Sequence, residues 1–216
     1  MKKQMMWLVL AALLLVSPKV LGGPTQVSGS DPNDDEIGSK TVAYFNALFD
    51  GLGKAAQKAP DYDSLREILK PVAESTKGFY GGTLLDSDWV IRQVYYPTHF
   101  LARGFDLNKV KELTAFIKKM KETPAPQLSE PGHGSLVQPR LIAMRYPILK
   151  DGKVKSILSM MIRTDEYLKA VGLDKCKAYK ITCLGVLAEE KGKLPKGAKQ
   201  VKLTLPSTEW VIEYQK

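Results

Sequence analysis

The sequence predicts an α+β domain: a central antiparallel sheet of about five to six strands, with N-terminal helices on one face and a helix-containing excursion on the other. Three observations predict it. Apolar residues recur at helical spacing near the N-terminus, strand-like stretches follow from Gly78, and Asp151-Gly152 joins two long apolar runs. Hydrophobic residues make up 44% and charged residues 25% of the 216, which excludes disordered and collagen-like chains.

The first 22 residues have the features of a secretory signal peptide. Lysines follow Met1, Met5 to Val16 is an unbroken apolar run, and Val20-Leu21-Gly22 resembles a cleavage triplet. An uncleaved anchor is the alternative, but this run spans only ~18 Å as a helix, less than a bilayer core. We expect residues 1–22 to be a signal peptide, 23–34 a flexible lead-in and 35–216 one periplasmic or secreted domain.

Two helices are predicted first, followed by a pair of strands. Ile37 and Phe45 lie on an apolar stripe that starts near Asp34, and Gly51 and Gly53 are expected to end or fray that helix. The second helix starts near Asp61 and is expected to kink or close at Pro71. Two strands are then predicted in residues 78–96, joined at residues 86–88, with apolar side chains on both faces.

The rest of the chain contains one more long helix, a hairpin and further strands. An amphipathic helix is predicted over residues 108–121, followed by a Pro- and Gly-rich loop. Residues 136–149 and 154–163 form the hairpin, and a short helix runs from Thr164 to Gly172. Two strand regions follow, at residues 176–187 and 201–214, and the sequence shows no internal repeat.

Cys176 and Cys183 are separated by a stretch that alternates like a strand and contains no turn-forming residue. Along a strand their Cα atoms would lie ~23 Å apart, whereas a disulfide requires ~5–6 Å. The oxidising environment of an exported protein would permit a disulfide bond between them. Both the bonded and the free forms therefore stay open, and two free thiols are the favoured form.

Four short segments resemble Cache domains, the extracytoplasmic PAS-like sensor modules of bacteria. They are Thr83–Arg92 (TLLDSDWVIR), Gly104–Leu107 (GFDL), Arg145–Ser159 (RYPILKDGKVKSILS) and Leu205–Ile212 (LPSTEWVI). Their order and spacing cover most of residues 40–214. The resemblance implies a Cache fold and the binding of a small ligand above one face of the sheet. The aromatic and acidic signature of amino-acid-binding members has no match in this chain.

Arginine is the most informative residue type for a ligand site. The chain has few arginines, and five of them lie between Arg92 and Arg163, the stretch that builds the pocket in Cache-like domains. A two-residue turn at Asp151-Gly152 would place Tyr146 opposite Ile157 and Arg140 opposite Arg163. The other face of this hairpin is aliphatic apart from Arg145.

Two opposed arginines repel each other unless an anion lies between them. A guanidinium binds a carboxylate through two hydrogen bonds, so a small organic anion is one candidate. A protein carboxylate from Asp165 or Glu166, or two solvated arginines, are the alternatives, and a one-residue bulge would change the register. The predicted ligand-binding residues are Arg140, Arg163, Tyr146, Tyr96, His99 and Arg103.

Enzymatic functions find little support in the sequence. Nucleophilic catalysis requires a base beside the nucleophile, and the only histidines are His99 and His133. Zinc-site spacing, a phosphate loop and a dinucleotide fingerprint are all missing from the sequence. We therefore predict no catalytic residue, metal or cofactor, and no nucleic-acid partner.

The predicted function is an exported, soluble Cache-like domain that binds a small, anionic ligand in a sensory or carrier role. The alternative is an interaction module, without a small ligand, that docks on a membrane-bound receptor or forms a homodimer. Val42, Phe45, Leu48 and Phe49 of the first helix are the candidates for such a dimer surface, although they could equally cover the sheet.

Overall fold

The computed structural model describes residues 35–59, 61–96, 103–132 and 139–216. The predicted signal peptide and lead-in, together with His99 and His133, lie outside the described residues. The helices are α1 (Glu36–Gln57), α2 (Leu65–Ser75), α3 (Thr114–Glu122) and α4 (Thr164–Val171). The strands are β1 (Phe79–Asp86), β2 (Ile91–Tyr95), β3 (Gln127–Leu128), β4 (Leu141–Lys150), β5 (Lys153–Arg163), β6 (Ala178–Cys183), β7 (Val186–Lys191), β8 (Lys199–Leu205) and β9 (Thr208–Gln215).

The strands form two antiparallel sheets. The first has five strands in the order β2-β1-β5-β4-β3, and the second has four in the order β7-β6-β9-β8. The α+β class predicted from the sequence is confirmed. The strands after α4 form a sheet of their own instead of extending the first one, so the molecule has one more sheet than the single one expected.

The helix α1 is longer than its glycines suggested. The side chain of Asp35 caps its start by accepting a hydrogen bond from the backbone N–H of Gly38 at 2.9 Å. The helix continues through Gly51 and Gly53 to Gln57. A Cβ on Gly53 would lie 3.1 Å from the ring of Tyr146, so this glycine allows close packing of α1 on β4 and does not end the helix.

Pro71 does not close the second helix either, since α2 continues to Ser75. In the excursion, the predicted helix over residues 108–121 is regular only in its second half. Two short 3₁₀ helices, Leu107–Lys109 and Lys111–Leu113, precede α3. Among the described residues no helix is long and apolar enough to cross a membrane.

One large apolar core joins α1, α4 and both sheets. At its centre Phe45 of α1 lies with its ring centroid 5.1 Å from that of Tyr167 and 5.3 Å from that of Trp210. Phe45 and Phe49 are buried inside this core. These two side chains cover the sheets, as one of the two sequence interpretations expected. Val42 and Leu48 are only partly buried, and a dimer surface there stays a prediction.

A second, smaller core lies on the opposite face of the first sheet, beneath the excursion. Its buried members are Leu85, Trp89, Ile91, Ile117, Met120 and Ile157. The five-stranded sheet is therefore covered on both faces, by α1 and α2 on one side and by α3 with its preceding turns on the other.

Candidate functional site

Four polar side chains form a row across the sheet face that lies beneath the excursion. Thr83 of β1 pairs with Ser159 of β5, Ser159 pairs with Arg145 of β4, and Arg145 pairs with Gln127 of β3. Directly paired residues in a sheet project to the same face, so the four side chains are neighbours. All four residues are buried, with exposures of only 1% to 6%.

The row borders the smaller apolar core on one side and a glycine, an alanine and a methionine on the other. Toward the apolar core the next paired positions are Leu85, Ile157 and Pro147, and on the other side they are Gly81, Met161 and Ala143. Apolar walls with a few converging polar groups are typical of small-molecule sites. The row is therefore the candidate functional site of this chain.

Arg145 is the only charged member of the row, and among the described residues no carboxylate forms an ion pair with its guanidinium. Its Nη1 atom is buried and has no hydrogen-bond partner among the described residues. The guanidinium carbon lies 5.8 Å from the ring centroid of Trp89, within cation–π range. Burial lowers the pKa of Arg145 to about 10, and the negative charge of Glu130 acts in the opposite direction. Arg145 therefore stays cationic at neutral pH.

Gln127 adds a second incompletely satisfied group to the row. Its Nε2 atom donates a hydrogen bond to the carbonyl oxygen of Phe116 at 2.7 Å, which holds the amide against α3. Its Oε1 atom is buried and accepts no hydrogen bond from the described residues. A buried acceptor and a buried cationic donor thus lie side by side, an arrangement that usually has a functional reason.

Tyr96 lies at the rim of the same face. Its ring covers Gly81, since a Cβ on that glycine would come within 2.1 Å of the ring. The Tyr96 hydroxyl donates to the sulfur of Met161 at 3.7 Å. Burial, with a smaller contribution from Tyr80, raises the pKa of Tyr96 to about 12, so the phenol is neutral. Of the residues predicted to bind a ligand, Tyr96 is the one that borders the row.

The predicted pairing of Arg140 with Arg163 is wrong. The hairpin turns at Asp151-Gly152 as expected, with Lys150 opposite Lys153, but the register shifts by one residue between Ile148 and Leu149. Arg163 consequently lies opposite Leu141. Tyr146 lies opposite Leu158 and not Ile157. The bulge rotates the β5 side chains relative to those of β4.

Both arginines have carboxylate partners within the protein. Arg140 forms an ion pair with Glu189, a buried carboxylate of β7, so this pair connects the two sheets. The Nε atom of Arg163 lies 3.2 Å from Asp165. Protein carboxylates were one of the alternatives that the sequence left open. A ligand role for Arg140 and Arg163 stays a prediction.

The other predicted residues lie in different places. Tyr146 is on the opposite face of the sheet, where it packs against the main core. Arg103 is exposed in a turn of the excursion. Cys176 and Cys183 are buried free thiols, and burial raises the pKa of both. Within the described part of the chain, no three His, Cys, Asp or Glu side chains are grouped as metal ligands would be.

Sequence reasoning missed Arg145, Gln127, Thr83 and Ser159 as a group. One signal was present, because Arg145 is the only charge in an otherwise aliphatic hairpin face. A charged side chain at such a position is buried once the face is covered, and a buried charge requires a partner. Gln127 carried no comparable signal, since its two-residue strand could not be recognised in a Pro-rich stretch.

Similarity to known proteins is found at the level of the fold. No protein-family model and no curated protein sequence matches the chain. Solved structures do: an extracellular ligand-binding receptor from Desulfohalobium retbaense has a TM-score of 0.59 at 17% identity over 82% of this chain. This chain spans only 38% of that receptor.

Two bacterial chemoreceptor domains are similar over nearly their whole length. The ligand-binding domain of the Pseudomonas aeruginosa amino acid chemoreceptor PctC, in complex with GABA, has a TM-score of 0.56 at 12% identity, with 83% of this chain and 93% of that one covered. The ligand-binding domain of the Pseudomonas fluorescens chemoreceptor CtaA, in complex with L-isoleucine, has a TM-score of 0.58 at 12% identity. The match covers 84% of this chain and 87% of that one. The chain therefore has the fold of Cache-type sensor domains.

Proposed function

We propose that this chain is an exported Cache-type sensory or ligand-carrying module that binds a small organic anion on the buried row, with Arg145 as the anchor for a carboxylate. The observation that carries the proposal is the buried guanidinium of Arg145, whose Nη1 atom has no hydrogen-bond partner among the described residues. An unpaired buried charge is strongly unfavourable, and a bound carboxylate would supply the missing charge and hydrogen bonds.

The other members of the row suit the same ligand. Thr83 and Ser159 provide hydroxyl groups that can donate to a carboxylate, and the free Oε1 of Gln127 can accept from a ligand donor. Trp89 and its apolar neighbours would contact the carbon skeleton. The proposal agrees with the similar chemoreceptor domains, whose GABA and L-isoleucine are both small molecules with a carboxylate.

Export is part of the proposal. It rests on the signal-peptide features of residues 1–22 and on the similarity to domains from extracytoplasmic receptors. Expression of the full chain in a bacterial host, followed by fractionation and N-terminal sequencing, tests it. The expected result is a periplasmic or secreted protein that starts near Gly23, and a cytoplasmic protein that starts at Met1 would contradict it.

Isothermal titration and thermal-shift assays of the purified protein against acetate, succinate, GABA and L-isoleucine test the binding site. A ligand at 100 times its dissociation constant adds about 2.7 kcal/mol, a shift of several degrees for a domain of this size. We expect at least one carboxylate to bind and Arg145→Met to abolish its shift.

Matched variants distinguish this site from the one that the sequence suggested. Arg140→Met and Arg163→Met remove arginines that have protein carboxylates as partners, so binding should survive in both. Loss of binding in those two variants with retention in Arg145→Met would move the site to the end of the hairpin. No shift with any carboxylate would refute the proposed ligand class.

A further inference from the structure

An exposed apolar tip is formed by the hairpin between β6 and β7. Cys183 pairs with Val186, so Leu184 and Gly185 form a two-residue turn. Leu184 is 65% exposed, Val186 70% and Leu187 44%. These three side chains, together with Gly185, are called the apolar tip. Three large aliphatic side chains exposed within four residues are more than the scattered apolar residues of an ordinary surface.

The backbone of the turn makes the choice of leucine unfavourable. Leu184 has φ of 49° and Gly185 has φ of 82°, nearly the geometry of Asp151 (52°) and Gly152 (74°) in the other hairpin. Asp and Asn adopt such left-handed conformations readily, whereas leucine does not. Leu184 therefore costs free energy in the turn and recovers little by burial, which points to a partner outside the described part of the chain.

The neighbouring edge strand is poorly suited to strand addition by a second copy. Glu189 of β7 points inward and is paired with Arg140, and the register of β7 shifts beside Ala188. Exposed Glu190 and Lys191 follow. Inward-pointing charges, bulges and lysines are the features that protect sheet edges from pairing. The tip, rather than the edge, is the accessible apolar surface.

Lys119 of α3 lies near the end of the second sheet at which the tip lies. The backbone N–H of Leu184 donates to the carbonyl of Glu209 at 2.9 Å, just after the β8–β9 turn. The Nζ atom of Lys119 lies 3.4 Å from the carbonyl of Ser207 in that same turn. Glu209 is itself neutralised by Lys202 at 2.8 Å. Cationic side chains thus lie at the same end of the second sheet as the apolar tip.

The same helix borders an open depression of about 390 Å³. Its lining residues are Asn108, Thr114, Ile117, Lys118, Lys121 and Glu122. Two lysines with an amide and a hydroxyl group are suitable donors for a phosphate headgroup. Lys118 lies 3.9 Å from the Glu122 carboxylate, whereas Lys121 has no ion pair with the described residues.

We propose that the apolar tip inserts into the interfacial region of a bilayer that contains anionic phospholipids, with the α3 lysines contacting the headgroups. A convex tip of three aliphatic side chains fits a fluid interface, and neighbouring lysines add attraction to anionic lipid. The proposal is independent of the ligand site on the first sheet.

The test compares full-length variants in sedimentation with vesicles of phosphatidylcholine alone and of phosphatidylcholine with phosphatidylglycerol. All variants share the same N-terminal apolar segment, so only differences between them report on the tip. Leu184→Asp with Val186→Asp should reduce the partition coefficient for anionic vesicles about tenfold. Leu149→Asp, at a leucine that is 40% exposed beside the other hairpin turn, should leave it unchanged.

Leu184→Asn separates folding from docking. Asparagine suits the left-handed turn, so the melting temperature should rise by about 2 °C, whereas vesicle binding should fall. Lys118→Glu with Lys121→Glu should weaken binding to anionic vesicles and leave binding to neutral vesicles unchanged. Equal partitioning of wild type and the tip variants into vesicles would overturn the proposal. Self-association of the chain, or binding to another protein, would also overturn it if either required the tip and occurred in the absence of vesicles.

Discussion

The two faces of the five-stranded sheet differ in how completely the protein itself satisfies them. The face toward α1 carries Leu84, Leu158, Met160 and Ile162, all almost completely buried in the main core. The face toward the excursion carries the polar row, in which Nη1 of Arg145 and Oε1 of Gln127 have no hydrogen-bond partner among the described residues. One face is therefore fully packed by the protein, whereas the other retains unsatisfied polar groups, which are the ones that the proposed ligand would contact.

The largest effect is expected on the packed face. Leu158→Ala removes a side chain with no exposed surface from the main core, and the surrounding strands cannot close the cavity. We expect a loss of about 3 kcal/mol in the free energy of unfolding, measured by urea denaturation. A loss below about 1 kcal/mol would mean that this face is not the tightly packed one.

A smaller loss is expected from adding a methyl group at Gly82. A Cβ there would lie 2.3 Å from Leu69 and 3.0 Å from the carbonyl of Ser159, and Leu69 is fully buried. Gly82→Ala should cost about 2 kcal/mol through overpacking. In Gly81→Ala the added methyl group clashes with the ring of Tyr96 at the rim of the sheet. We expect a smaller loss in the free energy of unfolding and a change in the near-ultraviolet circular dichroism signal. Equal losses of unfolding free energy in Gly82→Ala and Gly81→Ala would show that the two faces of the sheet are packed equally tightly.

Arg145→Met should change stability least among the core substitutions. It removes the cation–π contact with Trp89, but it also removes a buried charge whose Nη1 atom has no hydrogen-bond partner among the described residues. We expect the free energy of unfolding to stay within about 1 kcal/mol of wild type or to rise. A loss of several kcal/mol in denaturant titrations would show that the guanidinium is satisfied by the protein.

The smallest expected effect is a pH dependence of opposite sign on the two sides of the sheet. Tyr44, packed against the main core, has a pKa raised to about 12 by burial, so its contribution is present below pH 10 and lost as pH rises toward 12. Arg145 has a pKa lowered to about 10, so the unfolded chain binds more protons and stability increases with pH through this range.

Melting temperatures of wild type, Tyr44→Phe and Arg145→Met between pH 8 and pH 11 measure these slopes. As the pH rises, wild type should lose more stability than Tyr44→Phe, because that variant lacks the destabilising contribution of Tyr44. Wild type should lose less stability than Arg145→Met, because that variant lacks the stabilising contribution of Arg145. The same slope in wild type and Arg145→Met would place the pKa of this arginine near its usual value.

The β4–β5 hairpin shows how far the sequence leads and where it stops. Its turn and its first pair of residues were predicted correctly, because Asp-Gly between apolar runs specifies a two-residue turn. A single extra residue in β5, next to Val154, shifts every pair farther from the turn by one position. Arg163 therefore lies opposite Leu141 and not opposite Arg140. Bulges have no reliable sequence signature, and a shift of one residue reverses which side chains share a face.

The sequence by itself determined the α+β class, the order of the four helices, the first strand pair and the long hairpin, the hairpin turn and the resemblance to Cache domains. These follow from local periodicity and turn chemistry, which act over a few residues. The tertiary structure alone decided the second sheet and the row of Gln127, Arg145, Ser159 and Thr83. These depend on pairing between strands distant in the chain, where register, bulges and coverage by another element determine which side chains meet and which are buried.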